Sequence, residues 1–347
     1  MTRRAVDPMR RSLPLAEWPA SDAALWALAR TPAGLFDDHG GAAHWHPRTC
    51  QTNIQHYGRF LGYLSWRGDL DETVAPADRV TRESVGAYSA HLEALVAPCT
   101  RLSMLVGLKV MMQAMAPERS WDWLQRYCNR IQVIAKPSRD KRSRMRPTGE
   151  IFAAAIGELR RFPTNGLSLS QAVAYRNALM LAFLTARPLR LKNFAALALG
   201  RHLTPTSDGW LLRIEAHETK TKEPIAFTLP EQLQPWLGRY LGQVRPLFPE
   251  ADASQDLWLG IYGALKGYQT IHQAIRRLTE RLFGRSINPH LLRDCAASSL
   301  ANESAETAPY ASALLGHRQA ATTERWYIQA DNLDASRRVN RILGRMR

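Results

Sequence analysis

A polar, strongly basic stretch divides this chain into two parts with different sequence patterns. It reads AKPSRDKRSRMRPTGE, covers residues 135–150, and contains Pro137 and Pro147 near its two ends. A segment of this composition cannot bury apolar surface and is typical of an interdomain linker. Its like charges would be favourable against a phosphate backbone, or they are simply solvated. The chain is therefore expected to form two domains.

Before this linker, the apolar residues recur at the spacing of α-helices. Five segments show the pattern, at 21–30, 50–68, 81–95, 100–115 and 120–134. Two of them start with residues that commonly cap a helix N-terminus, Ser21 and Thr81. Apolar stripes of this kind usually form a core, so a bundle of about four core helices is expected.

After the linker, the pattern combines helices with a hairpin. Helical spacing recurs at 149–162, 170–186, 231–245, 268–283, 290–302, 307–315 and 331–345. Between them, GWLLRIEAHETKTKEPIAFTLP predicts two strands, 210–216 and 224–229, joined by a turn rich in lysine. The predicted fold class is mainly α with a small antiparallel β-sheet, in two domains.

The composition is that of a folded, strongly basic protein. The 347 residues are enough for two cores, and 46 Lys and Arg against 31 Asp and Glu give a formal net charge of +15. Such a surplus favours a polyanionic partner, because Lys and Arg release counterions from phosphates. A surface that merely keeps copies apart is the alternative. Since the basic residues are spread along the chain, nucleic acid is a better partner than a membrane.

Several classes of protein are not supported by the sequence. No apolar run reaches about 18 residues, so no transmembrane helix is expected. The basic N-terminus lacks the apolar region of a secretory signal. The four cysteines are scattered without a CxxC pair, which argues against a disulfide framework and a zinc site. A cytoplasmic protein without a metal or other cofactor is expected.

Four stretches in the second half carry residues that could act chemically. They are TARPLRLKNFAALAL with Arg190, HETKTKEP with Lys220 and Lys222, PHLLRD with His290 and Arg293, and LLGHRQAATTERWY with His317 and Tyr327. Pro289 suits a helix start, and a spacing of three places His290 and Arg293 on one helical face. Taken singly, each of these residues is more often a surface charge or a packing residue.

In this order, the four stretches resemble the sequence boxes of the tyrosine recombinase (phage integrase) family. The resemblance spans about 150–347, and the helical region before it is similar to the core-binding domain of that family. The resemblance implies a catalytic set that consists of Arg190, Lys220, His290, Arg293, His317 and the nucleophile Tyr327. The implied organisation is an N-terminal extension (1–45), a helical, SAM-like core-binding domain (46–135), a basic linker (136–150) and a catalytic domain with a tail helix (151–347).

The chemistry that the resemblance implies explains why these residue types are needed. A tyrosine that attacks a phosphodiester keeps the bond energy in a covalent 3′-phosphotyrosyl intermediate, so strands can be exchanged without ATP or a metal. Arg190 and Arg293 would hold the non-bridging phosphate oxygens, because guanidinium groups bind such oxygens bidentately.

The other residues of the set would move protons or bind the phosphate. Lys220 would act as the general acid for the leaving 5′ oxygen, and Lys222 on the same turn is the alternative. His290 would assist proton transfer from Tyr327, and His317 would donate to a phosphate oxygen.

Three features differ from the usual pattern of the family. Pro188 stands before the Leu-Arg of the first box, where glycine is usual. Asn193 stands three residues after Arg190, where an acidic residue is common. Tyr327 follows His317 by ten residues rather than nine, and the nine-residue position is held by Trp326, which cannot be a nucleophile. Trp326 is expected to pack and to fix the turn that presents Tyr327.

The implied function is that of a site-specific DNA recombinase or integrase, of a kind that also serves transposition. It would act on double-stranded DNA in a bacterial cytoplasm, at the nucleoid, with its two domains clamped around the duplex. The basic tail helix would dock on a neighbour in a homotetramer, or it packs on its own domain. Two other functions stay open: a catalytically inactive DNA-binding protein on the same scaffold, and a type IB topoisomerase that relaxes DNA.

Overall fold

A computed structural model of the chain describes residues 7–32, 40–135, 140–207, 209–265 and 267–303. The chain divides into two compact units, Met1–Asp140 and Lys141–Arg347. Each unit has a buried apolar core of its own. In these ranges no helix is long and apolar enough to cross a lipid bilayer.

The N-terminal unit is helical over the part that the structure describes. Its helices are α1 (Ala20–Ala29), α2 (Pro47–Arg67), α3 (Pro76–Arg79), α4 (Arg82–Leu95), α5 (Pro98–Met115) and α6 (Asp122–Ile134). The five predicted helical segments are confirmed, and α3 is a short addition to them.

Local sequence sets most of these helix starts. Proline occupies the first turn of α2, α3 and α5, where an N–H would have no helical acceptor to bond. Thr81 caps α4 as predicted, through a capping box with Ser84. The predicted cap at Ser21 is wrong, because α1 begins one residue earlier with Pro19 at the cap position. The Ser21 hydroxyl donates to Asp22 instead.

Buried aromatic rings and a buried ion pair lie within the apolar core of this unit. Phe60 and Tyr88 pack edge to face, with 5.3 Å between ring centroids. Arg79 donates to both carboxylate oxygens of Asp22, at 2.8 and 2.5 Å, and the Tyr57 hydroxyl donates to the same carboxylate at 2.6 Å. A buried charge needs such partners, so this pair fixes α1 and α3 against α2.

The C-terminal unit combines helices with two small antiparallel sheets. Its elements are α7 (Thr148–Arg160), α8 (Leu169–Ala186), α9 (Leu191–Ala195), β1 (Leu203–Thr206), β2 (Gly209–Ile214), β3 (Ile225–Thr228), α10 (Gln234–Arg239), β4 (Leu259–Gly260), β5 (Gly263–Ala264), α11 (Tyr268–Phe283) and α12 (Pro289–Glu303). The predicted helix at 231–245 is interrupted, because α10 passes into a π-helical turn, Tyr240–Val244. Most of α8 is buried in the core.

The larger sheet has the strand order β1-β2-β3. Leu212 of β2 pairs with Leu203 on one side and with Phe227 on the other. Strands β2 and β3 are the predicted hairpin. Strand β1 was not predicted, since its sequence LTPT contains Pro205, and proline is tolerated only because β1 lies at the sheet edge. The composition, mainly α with small antiparallel sheets, confirms the predicted fold class.

Candidate active site

Arg293 lies in the first half of α12 and is almost fully buried, at 5% exposure. The helix starts at Pro289 as predicted, and the Asn288 side chain accepts the Leu291 N–H at 2.9 Å. The Arg293 guanidinium donates to the backbone carbonyl of Pro188. Two stretches that are 105 residues apart in sequence are thereby joined.

Arg190 lies on the segment that Arg293 contacts. Helix α8 ends at Ala186, and Pro188 and Leu189 are buried as the chain turns. Arg190 occupies the N-cap position of α9 and is half-buried. Its charge is close enough to His290 to affect the pKa of that ring. The structure therefore places the charges of Arg190 and Arg293 near His290, and the catalytic roles of the three residues stay predictions.

The environment of His290 disfavours a protonated ring. Loss of water around the ring lowers its pKa, and the cationic side chains of Lys141, Arg293 and Arg190 lower it further. The carboxylate of Asp294 acts in the opposite direction. His290 as a whole residue is exposed. A neutral imidazole at pH 7 can accept a proton from an incoming hydroxyl group.

A buried acid and a lysine complete this cluster, and the sequence-based reasoning did not single them out. Asp294 is only 2% exposed, and the Lys141 ammonium lies 3.1 Å from its carboxylate. Burial raises the pKa of Asp294, although Lys141 opposes the change. Lys141 belongs to the basic stretch predicted as a linker, and this end of the stretch packs on the C-terminal unit. In the sequence, the signal for this cluster was Asp294, the acidic residue directly after Arg293.

The lysine turn, residues 219–224 between β2 and β3, carries Lys220 and Lys222, the two candidates for the general acid. Lys220 and Lys222 are both exposed, and neither ammonium bonds to a residue that the structure describes. Lys222 has a φ of 59°, in the left-handed region that glycine favours. The choice between Lys220 and Lys222 therefore stays a prediction.

One cavity of about 740 Å³ is lined by residues of the lysine turn and of the two segments that carry Arg190 and Arg293. Its lining includes Pro188 and Leu189 before Arg190, Thr221 of the lysine turn, and Ala296 of α12. The three elements that carry the predicted cations thus border one concave region. His317, Tyr327 and the helices predicted at 307–315 and 331–345 lie outside the described residues.

The N-terminal unit has a basic concavity of about 240 Å³. We call it the arginine pocket; its lining includes Arg82, Arg126, Arg130, Trp123 and Tyr127. The three arginines are exposed, whereas the two rings are half-buried. In sequence, the signal was a pair of arginines and a pair of aromatics, each four residues apart, on α6.

No set of three or more His, Cys, Asp or Glu side chains within the described ranges is arranged to hold a metal ion. The cluster in the C-terminal unit is thus cationic, with one buried acid beside it. Two guanidiniums and a neutral imidazole in one cluster can bind an anion and exchange a proton with it.

The sequence model of the phage integrase family matches residues 159–333, which is half of the chain. The chain belongs to this family, and the resemblance to tyrosine recombinases is confirmed. Site-specific recombination is thus the general activity to which the chain is assigned. No curated protein sequence matches the chain.

Two solved structures are similar to the chain over most of its length. XerA recombinase is 14% identical over 87% of this chain and 94% of its own, with a TM-score of 0.41. The Tn1549 transposon integrase (residues 82–397), in complex with circular intermediate DNA, is 13% identical over 86% and 96%, with a TM-score of 0.49. These values are too low for either protein to bear on the function of this chain.

Proposed function

We propose that this protein cleaves and rejoins double-stranded DNA at specific sites through a 3′-phosphotyrosyl intermediate. The convergence of Arg190, His290 and Arg293 beside the cavity supports this function most strongly. Their order in the sequence supports the choice of residues. The bond from Arg293 to the Pro188 carbonyl and the effect of the Arg190 charge on His290 support their grouping around one phosphate.

The two arginines would bind the phosphate under attack. Negative charge grows on the non-bridging oxygens as tyrosine adds, and positioned guanidiniums stabilise it. Arg293 suits this role because its side chain is buried and bonded to the Pro188 carbonyl, so little reorganisation is required. Arg190, half-buried at the start of α9, would bind from the other side.

Proton transfer would involve His290 and one lysine. The lowered pKa of His290 keeps its ring neutral near pH 7, so it can take the phenolic proton of Tyr327. Lys220, or Lys222 on the same turn, would protonate the 5′ oxygen as it leaves. His317 would donate to a phosphate oxygen. These steps need neither ATP nor a metal, because the phosphotyrosyl bond retains the energy for rejoining.

The N-terminal unit would add affinity for the duplex. In the arginine pocket, Arg126 and Arg130 are exposed and make no hydrogen bond or ion pair within the part of the chain described. The half-buried rings of Trp123 and Tyr127 line the same pocket. Such cations are suited to backbone phosphates, which fix register without reading sequence. The partner is bacterial DNA, and four copies would assemble on it through the tail after Tyr327.

A nicked duplex that traps the covalent intermediate tests the proposal. We would use nicked duplexes that span the DNA flanking the gene of this protein. The wild type should form an adduct that resists SDS, and Tyr327→Phe, which lacks only the nucleophilic oxygen, should form none.

Other outcomes have definite meanings. DNA binding without an adduct would indicate the inactive scaffold. Relaxation of supercoiled plasmid without joining to a second duplex would indicate a topoisomerase. An adduct with the Phe variant would overturn the nucleophile assignment.

A further inference from the structure

One carboxylate, that of Glu218, lies at the residue directly before the lysine turn. Glu218 ends the short 3₁₀ turn Ala216–Glu218 and immediately precedes Thr219 and Lys220. Its side chain folds back and accepts from the Arg201 guanidinium at 2.7 Å and from the Glu215 N–H at 3.2 Å.

A buried histidine supplies the third bond to Glu218. The Nε2 atom of His202 lies 3.1 Å from the Glu218 carboxylate. His202 is 5% exposed, and its Nδ1 atom accepts the Ala198 N–H at 3.0 Å. Because Nδ1 accepts, the ring hydrogen is on Nε2 and points at the carboxylate. The bond therefore forms with a neutral ring and does not require protonation.

The same residue also ties the lysine turn to the helix that follows Arg190. The Asn193 side-chain amide donates to the backbone carbonyl of Glu218 at 3.4 Å. Asn193 is three residues after Arg190 and is 9% exposed. At this position an acidic residue is common in the family. The Asn193 amide can donate to the Glu218 carbonyl, whereas a carboxylate cannot.

A further hydrogen bond shapes the rest of the lysine turn. Thr219 is buried, and its hydroxyl lies 2.8 Å from the Glu223 carbonyl, which closes the turn. Neither the Lys220 nor the Lys222 ammonium bonds to a residue within the described ranges, so the turn determines where an ammonium can reach. Burial opposes ionisation of Glu218, but the bonds from His202 and Glu215 lower its pKa overall. The carboxylate is therefore charged at neutral pH and binds its donors strongly.

We infer that Glu218, held by His202 and tied to Asn193, is the positioning residue that aims the lysine turn at the leaving 5′ oxygen. The inference rests on the proposed function. In the step concerned, the tyrosine O–P bond forms and the P–O5′ bond breaks. The ammonium proton goes to the 5′ oxygen, and the phenolic proton goes to His290. Since proton transfer requires hydrogen-bond distance, a displaced turn should slow this step specifically.

A change of leaving group separates this role from a general structural one. The full-length protein is given two nicked duplexes, one normal and one with sulfur in place of the bridging 5′ oxygen. A thiolate leaves without first taking a proton, so the sulfur duplex does not need the general acid. Glu218→Leu should slow adduct formation on the normal duplex by about 10–100-fold and react like the wild type on the sulfur duplex. The catalytic lysine, replaced by alanine, should show the same pattern with a larger loss.

Matched variants make the experiment decisive. Glu231→Leu removes an exposed carboxylate close to the end of β3 and should behave as wild type on both duplexes. Glu218→Gln keeps an oxygen that can accept from His202, so it should show a smaller loss that sulfur again restores. It also covers the case in which the leucine variant does not fold.

Equal losses on the two duplexes in the Glu218 variants would overturn the inference, because the defect would then be general. A wild type that forms no adduct with either duplex would overturn the proposed function, and the inference with it.

Discussion

The two units place arginine in opposite environments. In the arginine pocket of the N-terminal unit, Arg126 and Arg130 are exposed on one face of α6. In the C-terminal unit, Arg293 is buried, bonded to a backbone carbonyl, and close to His290. The same side chain is therefore free to follow a partner in one unit and is held at one point in the other.

This difference separates affinity from rate. An exposed arginine loses up to about 2 kcal/mol of side-chain entropy when it is immobilised, so it contributes modestly to binding and tolerates variation. Arg293 is already ordered by folding, and its charge is available for a transition state without further ordering. We expect changes in the C-terminal cluster to reduce cleavage, and changes in the arginine pocket to reduce affinity.

The largest effect is expected at Arg293. Arg293→Lys keeps the charge but loses the planar, bidentate donors, so single-turnover cleavage should fall by about 100–1000-fold, while DNA affinity changes little. Adduct formation and equilibrium binding would be measured on the same duplex. Arg160→Lys, at the exposed end of α7, is the matched control. A lysine variant that cleaves at the wild-type rate would contradict the role of Arg293.

An intermediate effect is expected in the arginine pocket. The double change Arg126→Gln and Arg130→Gln should weaken DNA binding and reduce the slope of log affinity against log salt by about 1.8, for two phosphate contacts. Cleavage at saturating DNA should stay the same. Fluorescence anisotropy at several salt concentrations measures both quantities. The control is the double change Arg48→Gln and Arg67→Gln. An equally large change of slope in this control would contradict a specific role of the arginine pocket in DNA binding.

The smallest effect concerns stability at Asp294. Burial raises the pKa of this acid, so its contribution to stability is greatest below the ordinary pKa and is lost as pH rises through the raised one. Asp294→Asn removes this pH-dependent contribution to stability. The melting temperature of the variant, minus that of the wild type, should therefore become more positive between pH 4 and 7, by about a few degrees.

Thermal unfolding across pH tests this expectation. Asp252→Asn, at an exposed acid, should give a difference that does not depend on pH. A difference for Asp294→Asn that falls with rising pH would mean that the ion pair with Lys141 outweighs the cost of burial.

Local sequence was sufficient for the elements that begin and end through near neighbours. Thr81 and Ser84 cap α4 within one turn, and Pro289 starts α12. The hairpin of β2 and β3 follows from alternating apolar residues around a polar turn. Strand β1 was not predicted, because Pro205 is tolerated there only at the sheet edge. The cap of α1 was predicted at Ser21, whereas Pro19 occupies that position.

The sequence by itself determined the identities and order of the candidate groups, since Arg190, Lys220, His290 and Arg293 stand in recognisable stretches. Only the tertiary structure decided which groups meet: Arg293 with the Pro188 carbonyl, Lys141 with Asp294 across 153 residues, and Glu218 with His202 beneath the lysine turn. Helix caps and apolar periodicity act over a few residues, so sequence shows them directly. Contacts between distant segments depend on how the helices and the sheet pack, and this packing is a property of the folded unit.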